Sequence, residues 1–455
     1  MKKIFTIIAL VLCVFVGGIY KPAYAAGVEA FTLVDENLIS ETDIKQDICD
    51  FVYGEGATEY NDDGARVDRT AGSEAEYVAC DYLWEELKQI WGIAEDTNKT
   101  ADERYKVSTQ EINYSLSLFG DESTSYNLVG YQKAAIDTTD YVVIGAHYDN
   151  YYGYADGLLG GSETKSHGIY DNASGVAALL NIVKAMKDRA VNYDIYYVFF
   201  GAEEVGNYGS RGFYDGFVKK YKGDMKLMIN LDSIGAGDDL YLYADEVKTP
   251  HEDYFVSVAN EMKKTYNSCE TIKTPPANKK VNYMSSNSAM SYDHMGTASD
   301  NSSFMKKGNN VITFFSGAWD AAGSIGVMES TQNPNVMHTS DDSLTKIEEL
   351  YGDVFYKRIK QITLLCVNTL VQEDFISVMN ESQKVSGNYL FWTTAKWANI
   401  ILTSVLVAGF VVFLFVVKKY RKPLPNTPTP NQEHLEKLKE AVLNNDIDAI
   451  SNKEE

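Results

Sequence analysis

Three short apolar runs in the middle of the chain, Tyr141–His147, Asp194–Phe200 and Lys226–Leu231, are each followed at once by a polar cluster. Runs of this length, rich in Val, Ile and aromatic residues, read as buried strands. The stretches between them have a different period. Ser174 to about Met186 puts Val176, Leu179, Leu180 and Val183 on one helical face, and a further helix runs through Arg211 to Tyr221. Val311–Phe315 reads as a later strand, and a long helical pattern from about Leu344 to Val371 follows it. Strands alternating with helices predict βαβ units, an α/β fold whose sheet is covered on both faces.

The polar residues sit where such a sheet binds ligands, just past the carboxyl ends of the strands. They form the clusters Gly145–Asp149, Tyr170–Gly175, Gly201–Glu204 and Asn230–Asp232, with Met337–Asp341 before the last helix. Together they offer two imidazoles and several carboxylates, the donor set that zinc accepts in a hydrolytic site. Two ions about 3.5 to 4 Å apart need a bridging carboxylate. Asp171 is the natural bridge, because small residues follow it and let the loop approach closely. His147 and Asp232 would complete one ion, Glu204 and His338 the other. Glu203 would face the water that zinc acidifies and act as general base. Asp149, two residues after His147, is placed to receive the other N–H of that imidazole.

These motifs resemble the M28 family of zinc peptidases. Ala146–Asp149, Asp171–Gly175, Ala202–Glu204, Asn230–Asp232 and His338–Asp342 occur in that family's order and approximate spacing, and Arg69–Glu74 is similar to its entry helices. The likeness runs from roughly residue 40 to 372. It implies a three-layer α/β/α sandwich with a mixed central sheet, of the phosphorylase/hydrolase-like type, two co-catalytic zinc ions, and removal of single residues from peptide ends. Two departures concern the substrate side. The stretch from Tyr148 to Ile169 is longer than usual and rich in Tyr and Gly, and Asn301 stands where many members carry His. A one-zinc acyltransferase of the glutaminyl cyclase type, a carboxypeptidase or dipeptidase, and a non-catalytic receptor ectodomain are the competing readings. A receptor would be expected to lack ligands or the base, whereas every position is filled here.

Hydrophobic segments at the two ends predict an address. Met1–Lys3 is basic, Ile4 to about Val16 is apolar, and Ala23–Ala25 is an AxA site, so residues 1–25 read as a cleaved export signal. Ala398–Val417 carries no charge over about 20 residues, the length of a membrane helix. Lys418, Lys419, Arg421 and Lys422 follow it, and Trp392 and Trp397 precede it, as expected of a helix whose C-terminal end is cytoplasmic. The expected organisation is a peptidase domain over 26–385, a juxtamembrane segment 386–397, a transmembrane helix 398–417 and a cytoplasmic tail 418–455. That places the catalytic domain outside the cell, tethered to the membrane by one pass.

Charge and cysteines narrow the partners. With 41 Lys and Arg against 64 Asp and Glu, the net charge is -23, which speaks against nucleic acid; peptides are the substrates that the resemblance implies. None of the five cysteines lies in a CxxC pair. Cys49 and Cys80 fall on two N-terminal helices and could pair if those helices pack together. Among the histidines, His167 is a rival ligand on the long loop, and His251 opens a helix.

Overall fold

The computed structural model describes residues 31–57, 60, 66–93, 104–115, 122–154, 163–244, 249–274, 299–305, 307–318 and 329–387, with positions 436, 439 and 440. The chain divides into two units, 1–388 and 389–455. The export signal, the apolar segment 398–417 and the cytoplasmic tail expected from the sequence lie outside the described residues. Among the described residues no single helix is long and apolar enough to cross a membrane.

Among its described residues the first unit contains ten strands: β1 Tyr105–Tyr114, β2 Ser123–Gln132, β3 Asp140–His147, β4 Tyr152–Tyr154, β5 Glu163–Lys165, β6 Asp194–Phe200, β7 Asp224–Leu231, β8 Asp239–Tyr243, β9 Ile272–Lys273 and β10 Val311–Gly317. Its helices are α1 Glu41–Tyr53, α2 Glu74–Trp91, α3 Ser174–Met186, α4 Tyr208–Phe213, α5 Pro250–Thr265, α6 Ser302–Met305, α7 Leu344–Tyr351, α8 Asp353–Leu370 and α9 Phe375–Gly387. Eight strands form one mixed sheet in the order β1-β2-β6-β3-β7-β10-β8-β9, while β4 and β5 make a separate hairpin. Within the sheet β6, β3, β7 and β10 run parallel to one another. β1 and β2 are antiparallel to each other, as are β2 and β6, and β8 runs antiparallel to β10.

Alternation along the strands sorts their side chains to two faces. Val142, Ile144, Ile195, Tyr197, Phe199, Leu227 and Ile229 join a large apolar cluster with α1, α2, α3, α5 and α8. Tyr141, Val143, Tyr196, Val198, Phe200 and Met228 join a smaller one with Phe213 and Phe304. Helices therefore cover both faces, and the strands between them read as continuous apolar runs. α3 is buried along almost its whole length and packs between the sheet and α8.

Three expectations are corrected. The pattern Leu344–Val371 is two helices, because Gly352 takes φ 53 and ends the first. The helix expected over Arg211–Tyr221 is the short α4 followed by a wider turn, Tyr214–Val218. Cys49 and Cys80 are both free: their helices do pack, but the thiols face the hydroxyls of Tyr60 and Tyr148 respectively.

Candidate metal centre

Three neighbouring parallel strands deliver most of the site. His147 ends β3, Glu203 and Glu204 lie in the turn after β6, and Asp232 directly follows β7. Asp171 lies in the irregular turn Ile169–Ala173 that opens α3, where the Asp171–Asn172 peptide is cis. The small residues after it have a clear use. A Cβ on Gly175 would stand 2.3 Å from the Leu231 carbonyl oxygen, so only glycine lets α3 start this close to β7. Asn172 completes the join, accepting from the Gly175 and Ser233 N–H groups and donating to the Leu231 carbonyl. His338 arrives from the loop before α7.

All five residues converge, and Asp171 stands between the two imidazoles. His147 Nε2 is 3.0 Å from Asp171 Oδ1 and 3.4 Å from Asp232 Oδ1. His338 Nε2 is 2.9 Å from Asp171 Oδ2 and 3.3 Å from Glu204 Oε2. Each oxygen of Asp171 thus serves a separate set of donors. Donor atoms of His147, Asp171 and Glu204 lie within 4.8 Å of one another, and the other oxygen of Glu204 is buried without a hydrogen-bond partner. Clustered acceptors facing one another, with one left unsatisfied, fit divalent cations.

The imidazole of His147 has a defined orientation. Its Nδ1 lies 3.2 Å from the Asp149 carbonyl oxygen, which can only accept, so Nδ1 carries the proton and Nε2 is left for a metal. The Asp149 carboxylate faces the same Nδ1 at 3.6 Å and has a second task. Its oxygens accept the backbone N–H groups of Glu203 (3.0 Å) and Glu204 (3.1 Å). Asp149 thus faces the His147 imidazole with its carbonyl and its carboxylate together, and the carboxylate also holds the Glu203–Glu204 turn.

Buried charge sets the electrostatics. Burial pushes the Glu203 carboxyl well up, and Asp300, Glu204 and Asp232 add to this against the opposing effect of His147. Glu204 is raised to about 7, again chiefly by burial. For Asp171 burial is outweighed by the hydrogen bonds from His147 and His338, which hold it below the usual carboxylate range. Asp300 is pushed to about 7 by burial, with Asp149 and Asp232 contributing.

Carboxylates from distant positions brace the ligand-bearing turns. Asp342 accepts from Tyr170 (2.7 Å) and Asp171 (3.1 Å) N–H groups. Glu76 takes the Ala202 N–H at 3.2 Å, together with the Ser125 hydroxyl and the Gly72 N–H. Ala202 has φ 52, immediately before Glu203. Glu76 was not singled out in the sequence; its one local signal is the Ser73–Glu76 spacing of a capping box. Arg69, fully buried, donates to the carbonyls of Tyr148, His167 and Gly168, and so ties together the two ends of the long loop. His167 is not among the convergent donors: its Nδ1 pairs with the Tyr53 hydroxyl at 2.8 Å. His251 is buried against the Val311 carbonyl.

The model of peptidase family M28 matches residues 127–359, which include all five donors and Glu203. The chain belongs to peptidase family M28. Two curated relatives of this M28 chain are the alkaline phosphatase isozyme conversion protein of Escherichia coli and aminopeptidase YwaD of Bacillus subtilis. The first is 28% identical over 189 residues, 40% of this chain and 51% of that protein. The second is 30% identical over 138 residues, 30% of this chain and 28% of that protein. The chain therefore spans about half the length, or less, of these relatives. Among solved structures, a zinc aminopeptidase from Bacillus subtilis matches with TM-score 0.51 at 14% identity, over 73% of this chain and 96% of that one. A glutaminyl cyclase from Bacteroides thetaiotaomicron gives TM-score 0.50 at 15% identity, over 75% and 99%. At such identities the likeness is one of fold.

Proposed function

We propose that this M28 chain is a two-zinc exopeptidase that removes residues from the free amino end of peptides. The single observation that carries the two-ion reading is the placement of Asp171. Its Oδ1 faces His147 and its Oδ2 faces His338, so one carboxylate joins two otherwise separate donor sets. His147 and Asp232 would hold one ion, Glu204 and His338 the other. Zinc, when bound, acidifies water and polarises a peptide carbonyl.

The remaining steps belong to the protein. Glu203 is the general base: it takes the proton of the attacking water and hands it to the leaving amine as the peptide bond breaks. The Asn207 side chain donates to Glu203 Oε1 at 2.8 Å and fixes its orientation. The Asp149 carboxylate keeps Glu203 and Glu204 in register by holding both backbone N–H groups. Tyr151, at the start of the long loop, lies against His338 and lines the approach to the site.

The full-length protein with zinc, assayed on aminoacyl fluorophores and their N-blocked counterparts, tests this. Cleavage that requires a free amine supports the aminopeptidase; cleavage of N-blocked substrates with a free carboxylate would favour a carboxypeptidase. One zinc per active chain, with cyclisation of N-terminal glutamine, would favour the glutaminyl cyclase chemistry of the second fold neighbour. On the strength of the two apolar segments we also place the domain outside the cell on a single membrane pass. Protease shaving of intact cells that left the domain untouched would remove that assignment.

A further inference from the structure

His338 is held differently from the other four donors. His147, Glu204 and Asp232 follow strands directly, and Asp171 opens a buried helix. His338 sits in an irregular loop with its backbone at φ 60, a left-handed conformation that non-glycine residues seldom adopt without external support.

Glu329 supplies that support. Its two carboxylate oxygens accept the consecutive N–H groups of Val336 (2.7 Å) and Met337 (2.9 Å), the pair immediately before His338. Glu329 is 2% exposed and is itself anchored. Its N–H donates to Asn335 Oδ1 at 3.1 Å, and its carbonyl accepts the Asp238 N–H at 3.1 Å. The Ser330 and Thr331 hydroxyls next to it both donate to the Asp238 carboxylate at 2.6 Å. Beyond His338 the turn is closed by the Thr339 N–H on the Val336 carbonyl, 3.0 Å away. The two N–H groups fall on separate oxygens of Glu329. A carboxylate has two acceptor oxygens; a carboxamide has one, and would turn its NH₂ toward a second donor.

We propose that Glu329 is a positioning residue for His338, setting the backbone that aims its imidazole at Asp171 Oδ2 and Glu204 and thereby controlling one of the two metal positions. The other position rests on residues that follow β3 and β7, far from this loop in the chain. The inference depends on the two-zinc reading above.

Calorimetric titration of the metal-free, full-length protein with zinc tests it, with cobalt(II) absorption as a second readout. Wild type should take up two ions. Glu329→Gln should bind one ion with wild-type affinity and the second about 10- to 100-fold more weakly, as expected when an outer partner of a ligand is lost. Glu329→Asp, which keeps the charge on a shorter arm, should fall between. An unchanged second site overturns the proposal, and so does equal weakening of both sites, which would mean general loosening. A wild-type protein that binds fewer than two ions overturns the two-zinc reading as well. Should Glu329→Gln fail to fold, Asn335→Ala, which takes away the acceptor of the Glu329 N–H, is read by the same criteria.

Discussion

Tyr151 lies flat against the imidazole of His338, with ring centroids 4.1 Å apart and planes 12° from parallel. The preceding residue is firmly held, since the Asn150 side chain donates to the Val67 and Ser166 carbonyls. Stacking of this kind is worth about 0.5–1.5 kcal/mol, or roughly two- to tenfold in a rate or binding constant. Tyr151→Ala should lower kcat/KM by that factor, and Tyr151→Phe should restore it, because only the ring is needed. Equal losses in both variants would assign the effect to the hydroxyl instead.

Glu203 and the ligands should separate cleanly in a metal analysis. With Glu203 as the proposed base, Glu203→Gln removes that base and no donor, so kcat should fall by about 10²–10⁴-fold while zinc content stays at the wild-type level. Activity near wild type in this variant would move the base to another residue.

Removing the bridge has the opposite signature. On the proposed two-ion reading, Asp171→Ala takes one donor from each ion and leaves His147, His338, Glu204 and Asp232 without their shared partner. Zinc content should drop toward zero, and the rise in Tm that zinc gives the wild type should vanish. Retention of one tightly bound ion would show that Asp171 does not bridge.

The metal-free protein should lose stability as pH rises from about 5 to 8. Burial first, with the charge of Asp149 second, raises Glu76 to about 8; burial chiefly raises Glu329 and Asp342 to about 7. A raised carboxyl binds its proton in the folded chain at a pH where the unfolded chain has released it. The folded state then holds more protons, and the unfolding free energy falls with increasing pH. His147 and His338, raised above the usual imidazole value, act in the same direction. Melting curves in chelator should show this slope, and Glu76→Gln, which keeps the shape of the protonated acid, should flatten it. A slope unchanged in that variant would exclude Glu76 as a contributor.

Much of the centre could be read from the sequence because its information is local. His147, Glu204 and Asp232 each follow an apolar run whose strand character is visible in about seven residues, and the small residues after Asp171 announce a close approach. The outer carboxylates are a different matter. Glu76 reaches Ala202, and Asp342 reaches Asp171, through hydrogen bonds between residues far apart in the chain, and nothing in the neighbourhood of either residue encodes the partner. The division of the last helix failed for another reason. Apolar spacing continues smoothly through Gly352, and only the left-handed turn taken there separates α7 from α8. The second task of the Asp149 carboxylate, holding the Glu203 and Glu204 N–H groups, is likewise a contact between distant parts of the chain that spacing cannot show.

The donors of the centre are spread along the chain from His147 to His338, with β10 inserted into the sheet between the fourth and the last of the supporting segments. A ribosome must therefore deliver nearly the whole domain before the final imidazole can join. Until then the nascent chain carries four of the five donors, His147, Asp171, Glu204 and Asp232. On the proposed chemistry, hydrolytic competence therefore comes last in the order of synthesis.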